Sequence, residues 1–188
     1  MSPAIIVAIV VAIVVGLLAF YVFSRPDSFR VERTGMVSAP PAEVFPYIND
    51  FRRWTSWSPW EGLDPNLNRS YTGAPVGKGS VYDWSGNNKA GQGRMEVLDS
   101  TPNEKILIDL QFVKPFKARN TTEFTLKPSG SGTQVIWAMW GPNTTMGKVM
   151  SLAGGMDAYL GKEFDKGLGN LAAVVQSDAE GRKAKASS

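Results

Sequence analysis

MDAYLGKEFDKGLGNLAAVV, residues 156–175, is the stretch on which the fold turns. Met156, Leu160, Phe164, Leu168, Leu171, Ala172 and Val175 recur at three- and four-residue steps, the spacing of one face of an α-helix. Lys162, Glu163, Asp165 and Lys166 fall largely off that stripe. The segment reads as a long amphipathic helix that must lay one side on an apolar surface. Gly161, Gly167 and Gly169 each cost about 1 kcal/mol against Ala in an isolated helix, so packing must hold it in place.

The surface it needs lies upstream. Residues 118–126 alternate cleanly, with Asn120, Thr122, Phe124 and Leu126 on one face. The hairpin loop 129–132 (SGSG) returns the chain into TQVIWAMW, residues 133–140. Before it come KILIDLQF (105–112) and strand signals at 91–100, 79–84 and, weakly, 68–72, punctuated by Gly, Asn and Pro. Together these form an antiparallel meander. Residues 29–38 (FRVERTGMVS) make an earlier strand, broken at SAPP (38–41). Pro41 suits the first turn of a helix over 42–49 whose Val44, Phe45 and Ile48 share a face. A tryptophan-dense stretch holds Trp54, Trp57 and Trp60, and 62–68 is loop. A shorter Met-rich turn (145–153) precedes the long helix, separated from it by Gly154 and Gly155.

Strand, short helices, six strands, long helix: an α+β curved antiparallel sheet with the helix in its concave face satisfies that order. The chain resembles the START-like (SRPBCC) superfamily, the helix-grip fold of polyketide cyclases/dehydrases and Bet v 1-like proteins. The first strand leading into SAPPAEVF (38–45) carries the resemblance, with INDF (48–51), Trp54, WSPW (57–60), GTQVIW (132–137) and the closing helix. It covers about residues 29–176 and is nearest to the membrane-anchored bacterial members. It implies a cavity between sheet and helix for lipids, sterols, polyketides or similar molecules. Expected lining residues on the strands are Trp84, Met95, Ile108, Leu110, Phe112, Thr122, Phe124, Trp137 and Met139. On the helical side they are Met146, Met150, Met156, Tyr159 and Leu160. The alternative for each is a closed core. The tryptophan cluster reads as a plug under the short helices, with a cavity mouth or an interfacial membrane contact as the alternative.

Residues 4–23 (AIIVAIVVAIVVGLLAFYVF) contain no charge. At ~1.5 Å rise per residue such a run spans the roughly 30 Å hydrocarbon core of a bilayer. The flank before it has no Lys or Arg and its end is aromatic, so an uncleaved anchor over 1–28, linker included, is expected rather than a signal peptide. Arg25, Arg30 and Arg33 after the run favour a single-pass inner-membrane protein with its domain in the cytoplasm. Residues 177–188, polar and basic, read as a disordered tail.

The zero count of His and Cys excludes Ser-His-Asp and Cys-His nucleophiles, thiol redox chemistry and imidazole or thiolate zinc sites. A net charge of +3, dispersed, gives no nucleic-acid stripe. No metal or cofactor is expected. Arg94 and Glu96 share a strand face opposite Met95 and Val97, so they read as solvated, as does Asp109 between Ile108 and Leu110. Neither Asp83 nor Glu123 completes an internal acid/base pair. GAPVGKGS (73–80) has three residues between its glycines where a phosphate loop needs four, and Gly86 to Gly93 lacks dinucleotide spacing. Asn68, Asn120 and Asn143 match a glycosylation pattern that arises readily by chance. The expected function is binding of an apolar or amphipathic small molecule without catalysis. The alternatives are a cyclase/dehydratase-type enzyme and a protein-interaction module resembling Hsp90-activator domains.

Overall fold

The structure, a computed structural model, describes residues 1–150 and 154–186; the side chains of Met146, Met150 and Ala186 lie outside the described residues. The elements run α1 (Pro3–Phe23), β1 (Ser28–Val37), α2 (Pro41–Asn49), the 3-10 turn Phe51–Ser56, then β2 (Asn68–Gly73), β3 (Ser80–Ser85), β4 (Gln92–Thr101), β5 (Lys105–Lys114), β6 (Ala118–Ser129) and β7 (Gly132–Pro142). The helices α3 (Thr145–Met150) and α4 (Gly155–Ala186) close the chain. The strands form one seven-stranded antiparallel sheet in the order β1-β7-β6-β5-β4-β3-β2. This is the α+β helix-grip fold.

Pleat alternation decides which face is dry. Along β6, Asn120, Thr122, Phe124 and Leu126 are buried while Thr121, Glu123 and Thr125 are half-exposed. Along β4, Met95 and Val97 go inward and Arg94 and Glu96 outward. On the outer face Arg94 Nη1 meets Asp83 Oδ2 at 3.3 Å and its Nη2 meets Glu96 Oε2 at 3.3 Å. Asp109 faces the same way but is not solvated: Arg119 (2.8 Å) and Gln111 (2.6 Å) cover its carboxylate. Long neighbouring side chains bury it without moving it to the core.

The long helix is fastened to one side of the concave face. Leu168 lies against Gly35 of β1, and Phe164 stacks on Trp137 of β7 with centroids 4.3 Å apart and planes 5° apart. The glycines of α4 now divide by role. A Cβ on Gly161 would run into the Arg33 guanidinium, which pairs with Asp157 at 2.8 Å. A Cβ on Gly167 would stand 2.7 Å from Trp137 Cζ3, whereas Gly169 faces open space.

The helix does not stop near Gln176. It continues to Ala186, so the disordered reading of 177–188 is corrected over the described part. Ala, Glu, Lys and Arg in this segment are good helix formers, and two long-range contacts tether it: Tyr47 donates to Asp178, and Arg182 pairs with Glu43.

α1 is 21 residues long and the one helix, among the described residues, long and apolar enough to cross a membrane. Of its residues Val22 is buried. Its exit is pinned to the domain, where Asn143 Nδ2 donates to the Pro26 carbonyl (3.0 Å) and Lys148 pairs with Asp27. Ser28 then opens β1 opposite Pro142. The register puts the β5–β6 turn and the β3–β4 turn at this same end of the sheet, with Lys114 opposite Gln92 and Asn68 opposite Ser85. The β4–β5 and β6–β7 turns occupy the far end.

Opposite effects of two glycines in one helix test this packing. Gly169→Ala should raise stability by about 0.5–1 kcal/mol through helix propensity alone. Gly167→Ala should lower it by about 1–2 kcal/mol, because the new methyl overpacks against Trp137. Denaturant unfolding followed by tryptophan fluorescence measures both; shifts of the same sign would contradict the helix–sheet contact.

Candidate functional site

A cavity of about 590 Å³ opens between the sheet and the start of α4. Its existence follows from how the helix lies. α4 leans on β1 and β7 and does not cover the inner faces of β3, β4 and β5, which stay open toward the β3–β4 and β5–β6 turns. Tyr82, Trp84, Met95, Leu110 and Phe112 of those strands form one wall. Thr122, Trp137 and Met139 form the floor, and Tyr159 and Leu160 come from the first turns of α4.

Nine of the residues expected from sequence therefore meet around one space: Trp84, Met95, Leu110, Phe112, Thr122, Trp137, Met139, Tyr159 and Leu160. Ile108 and Phe124 do not; both are fully buried in the core. Met156 packs half-buried against that core. Met146 and Met150 have side chains outside the described residues. Alternation told the face of each strand correctly. It did not tell how far along the strand the packed core gives way to open space.

The residues 57–67, by pattern a plug and a loop, contribute a further wall. Trp57 is plug: it is fully buried and its Nε1 donates to the Tyr47 carbonyl at 2.9 Å. Trp54 and Trp60 belong to both readings, packing on Trp137 in edge-to-face geometry and facing the cavity. Leu63 and Leu67 extend the apolar wall. This loop is stitched to the β3–β4 turn by Asp64, whose carboxylate accepts from the backbone of Asn66 (2.9 Å) and of Asn87 (2.6 Å). Trp84 Nε1 donates to the Ala90 carbonyl at 3.1 Å and holds the same turn from inside.

A polar cluster also escaped the sequence reading. Glu61 sits in the cavity wall with its side chain 8% exposed. Its Oε2 accepts from Arg69 Nε at 2.7 Å and its Oε1 from the Tyr82 hydroxyl at 2.7 Å. Tyr71 stacks on Tyr82, with centroids 5.1 Å apart. Burial first, and the Glu61 hydrogen bond second, push the Tyr82 phenol far above its ordinary value, so it stays a neutral donor. Both carboxylate oxygens are engaged, which makes the cluster a brace between loop and sheet. Glu61 lay in a stretch without periodicity, and only the fold brings Arg69 and Tyr82 to it. Deeper in, Thr122 Oγ1 and Trp137 Nε1 are buried without a hydrogen-bond partner. Among the described residues no group of acidic side chains could hold a metal ion.

The brace makes a double-mutant cycle informative. Tyr82→Phe should cost about 1 kcal/mol. Arg69→Met should cost about 2 kcal/mol, less than a fully buried pair because Arg69 is partly solvated. The two losses should couple by more than about 0.5 kcal/mol through Glu61. Strict additivity in denaturant midpoints would mean that Glu61 does not join them.

Comparison with known proteins agrees with this architecture. The family model described as "Polyketide cyclase / dehydrase and lipid transport" matches residues 28–176. No curated protein matches the chain. Among solved structures, a Nitrosospira multiformis protein superposes with a TM-score of 0.57 at 19% identity, covering 81% of this chain and 99% of that one. Protein CV1439 from Chromobacterium violaceum gives 0.55 at 18% identity, over 80% and 98% of the two chains. DynU16, from the dynemicin biosynthetic locus, gives 0.53 at 21% identity over 82% of this chain and 49% of its own. At these identities the superpositions speak for the fold. With the family model matching most of its length, the chain belongs to the polyketide cyclase/dehydrase and lipid-transport family of START-like domains.

Proposed function

We propose that the chain is a membrane-anchored binding domain for an apolar or amphipathic, lipid-like small molecule. The observation that carries this reading is the cavity, about 590 Å³ with mostly aromatic and aliphatic walls and few polar groups. Spaces of roughly 300–1,000 Å³ with such walls are what small-molecule sites look like. Tethering by α1 raises the effective concentration of bilayer-derived ligands around the domain. The family's description, which includes lipid transport, points the same way. We place the domain on the cytoplasmic side, on the arginines that follow the span.

The second reading is a cyclase/dehydratase-type enzyme. Glu61 and Tyr82 at the wall are the observation that favours it. Against it, each of these groups already holds the other or Arg69, and exchanging a proton with a ligand would disturb those bonds.

Ligand titration separates binding from a merely unfilled space. The chain from Asp27 onward should bind long-chain alcohols or fatty acids at micromolar affinity, about −8 kcal/mol, with a change in tryptophan fluorescence and a raised Tm. Met139→Trp should fill the floor and weaken binding at least tenfold, at a folding cost of about 1–3 kcal/mol. Arg94→Ala, on the outer face, should leave affinity unchanged. Unaltered fluorescence and Tm across lipids and hydrophobic dyes would sink the proposal.

A further inference from the structure

The residues through which the cavity meets solvent all lie at one end of the sheet. Leu63, Asn88, Lys89, Lys114, Pro115 and Tyr159 line it and are exposed. Asn88 and Lys89 are in the β3–β4 turn, Lys114 and Pro115 in the β5–β6 turn, and Tyr159 in the second turn of α4. Asp64 and Asn87 bind Leu63's loop to the first of these turns (2.6 Å). By register this is the end at which Ser28 opens β1 and α1 leaves the domain. The mouth and the apolar helix therefore share an end of the molecule.

The rim has the composition of a membrane-facing surface. Phe116, at the tip of the β5–β6 turn, is 64% exposed and Tyr159 is 58% exposed, both large apolar or amphipathic rings of the kind that sit at a membrane interface. Lys114 and Lys117 flank Phe116 in the same turn and Lys89 lies in the β3–β4 turn, all three exposed. Asp27 and Asp157, acidic residues at the same end, are paired with Lys148 and Arg33. The uncompensated charge of the rim is positive, which complements anionic headgroups.

We propose that this rim docks on the lipid bilayer, with Phe116 and Tyr159 at the headgroup level, so that the cavity opens onto the membrane and exchanges its occupant there. The proposal rests on the reading of α1 as a span and of the cavity as a binding site. It goes beyond both: a span and a cavity do not by themselves bring the mouth onto the lipid surface.

The chain has no cysteine, so single labels are clean. Asn88→Cys carrying an NBD fluorophore reports on the rim, and Ser131→Cys in the β6–β7 turn reports on the far end. Strands of ten residues such as β1 separate the two ends by ~33 Å. The full chain, reconstituted into phosphatidylcholine–phosphatidylglycerol liposomes containing lipids brominated near the headgroup, should show quenching at position 88 and none at 131. Lys114→Gln and Lys117→Gln should each lower the docked-to-free ratio about fivefold, and added salt should act the same way. Position 88 unquenched in a chain that still floats with the liposomes would overturn docking and leave the span intact. Equal quenching at 88 and 131 would overturn it too, as a domain lying flat. A chain that fails to float with the liposomes would remove the span and docking together.

Discussion

Trp137 stacked on Phe164 is the contact on which the rest of the structure depends. It fixes the long helix to the sheet at one place, and Gly167 provides the room for the ring. Trp54, Trp57, Trp60 and Phe124 pack on the same indole, mostly edge-to-face, so the short helices and the central strands are joined through one side chain. Each aromatic pair is worth about 0.5–1.5 kcal/mol beyond its area. The consequence for function is geometric. A helix held against β1 and β7 does not reach over the inner faces of β3, β4 and β5 near the β3–β4 and β5–β6 turns, and the cavity is that uncovered area. The same stack that closes the core also limits how far it closes.

Stability and site are thus divided along the sheet. Ile108, Phe124 and Phe164 are fully buried and serve the core. Met95, Leu110 and Met139, on the same inner face, border open space. Polar braces keep that space from collapsing. Glu61 ties its loop to Arg69 and Tyr82, and Asp64 ties the same loop to the β3–β4 turn. Buried carboxylates of this kind contribute little net energy but penalise alternative arrangements, which suits walls that must stand apart. The cavity mouth sits at the end where the apolar helix leaves, and the proposed exchange with the bilayer follows from that placement.

Much of this was legible in the sequence. The period-two pattern of Asn120, Thr122, Phe124 and Leu126 and the stripe from Met156 to Val175 are direct imprints of burial on one face. The face assignments of Met95 and Arg94 followed from the same alternation. Three things were not legible. Depth along a strand depends on where the helix crosses, so Ile108 and Phe124 could not be told from Leu110 and Met139. The loop 57–67 has no period, and Glu61 acquires partners only through a register that brings β2 and β3 beside it. The helix past Gln176 is polar on every side, and its order comes from contacts of Asp178 and Arg182 with α2 that composition cannot show.

The central claim is that the cavity holds a small molecule drawn from the membrane. Native mass spectrometry of the full chain, extracted from its own membranes in mild detergent, tests it most directly. The account predicts a discrete lipid-like adduct of one molecule per chain, greatly diminished in Met139→Trp. A chain that emerges at its bare mass, identical in both proteins, would contradict it.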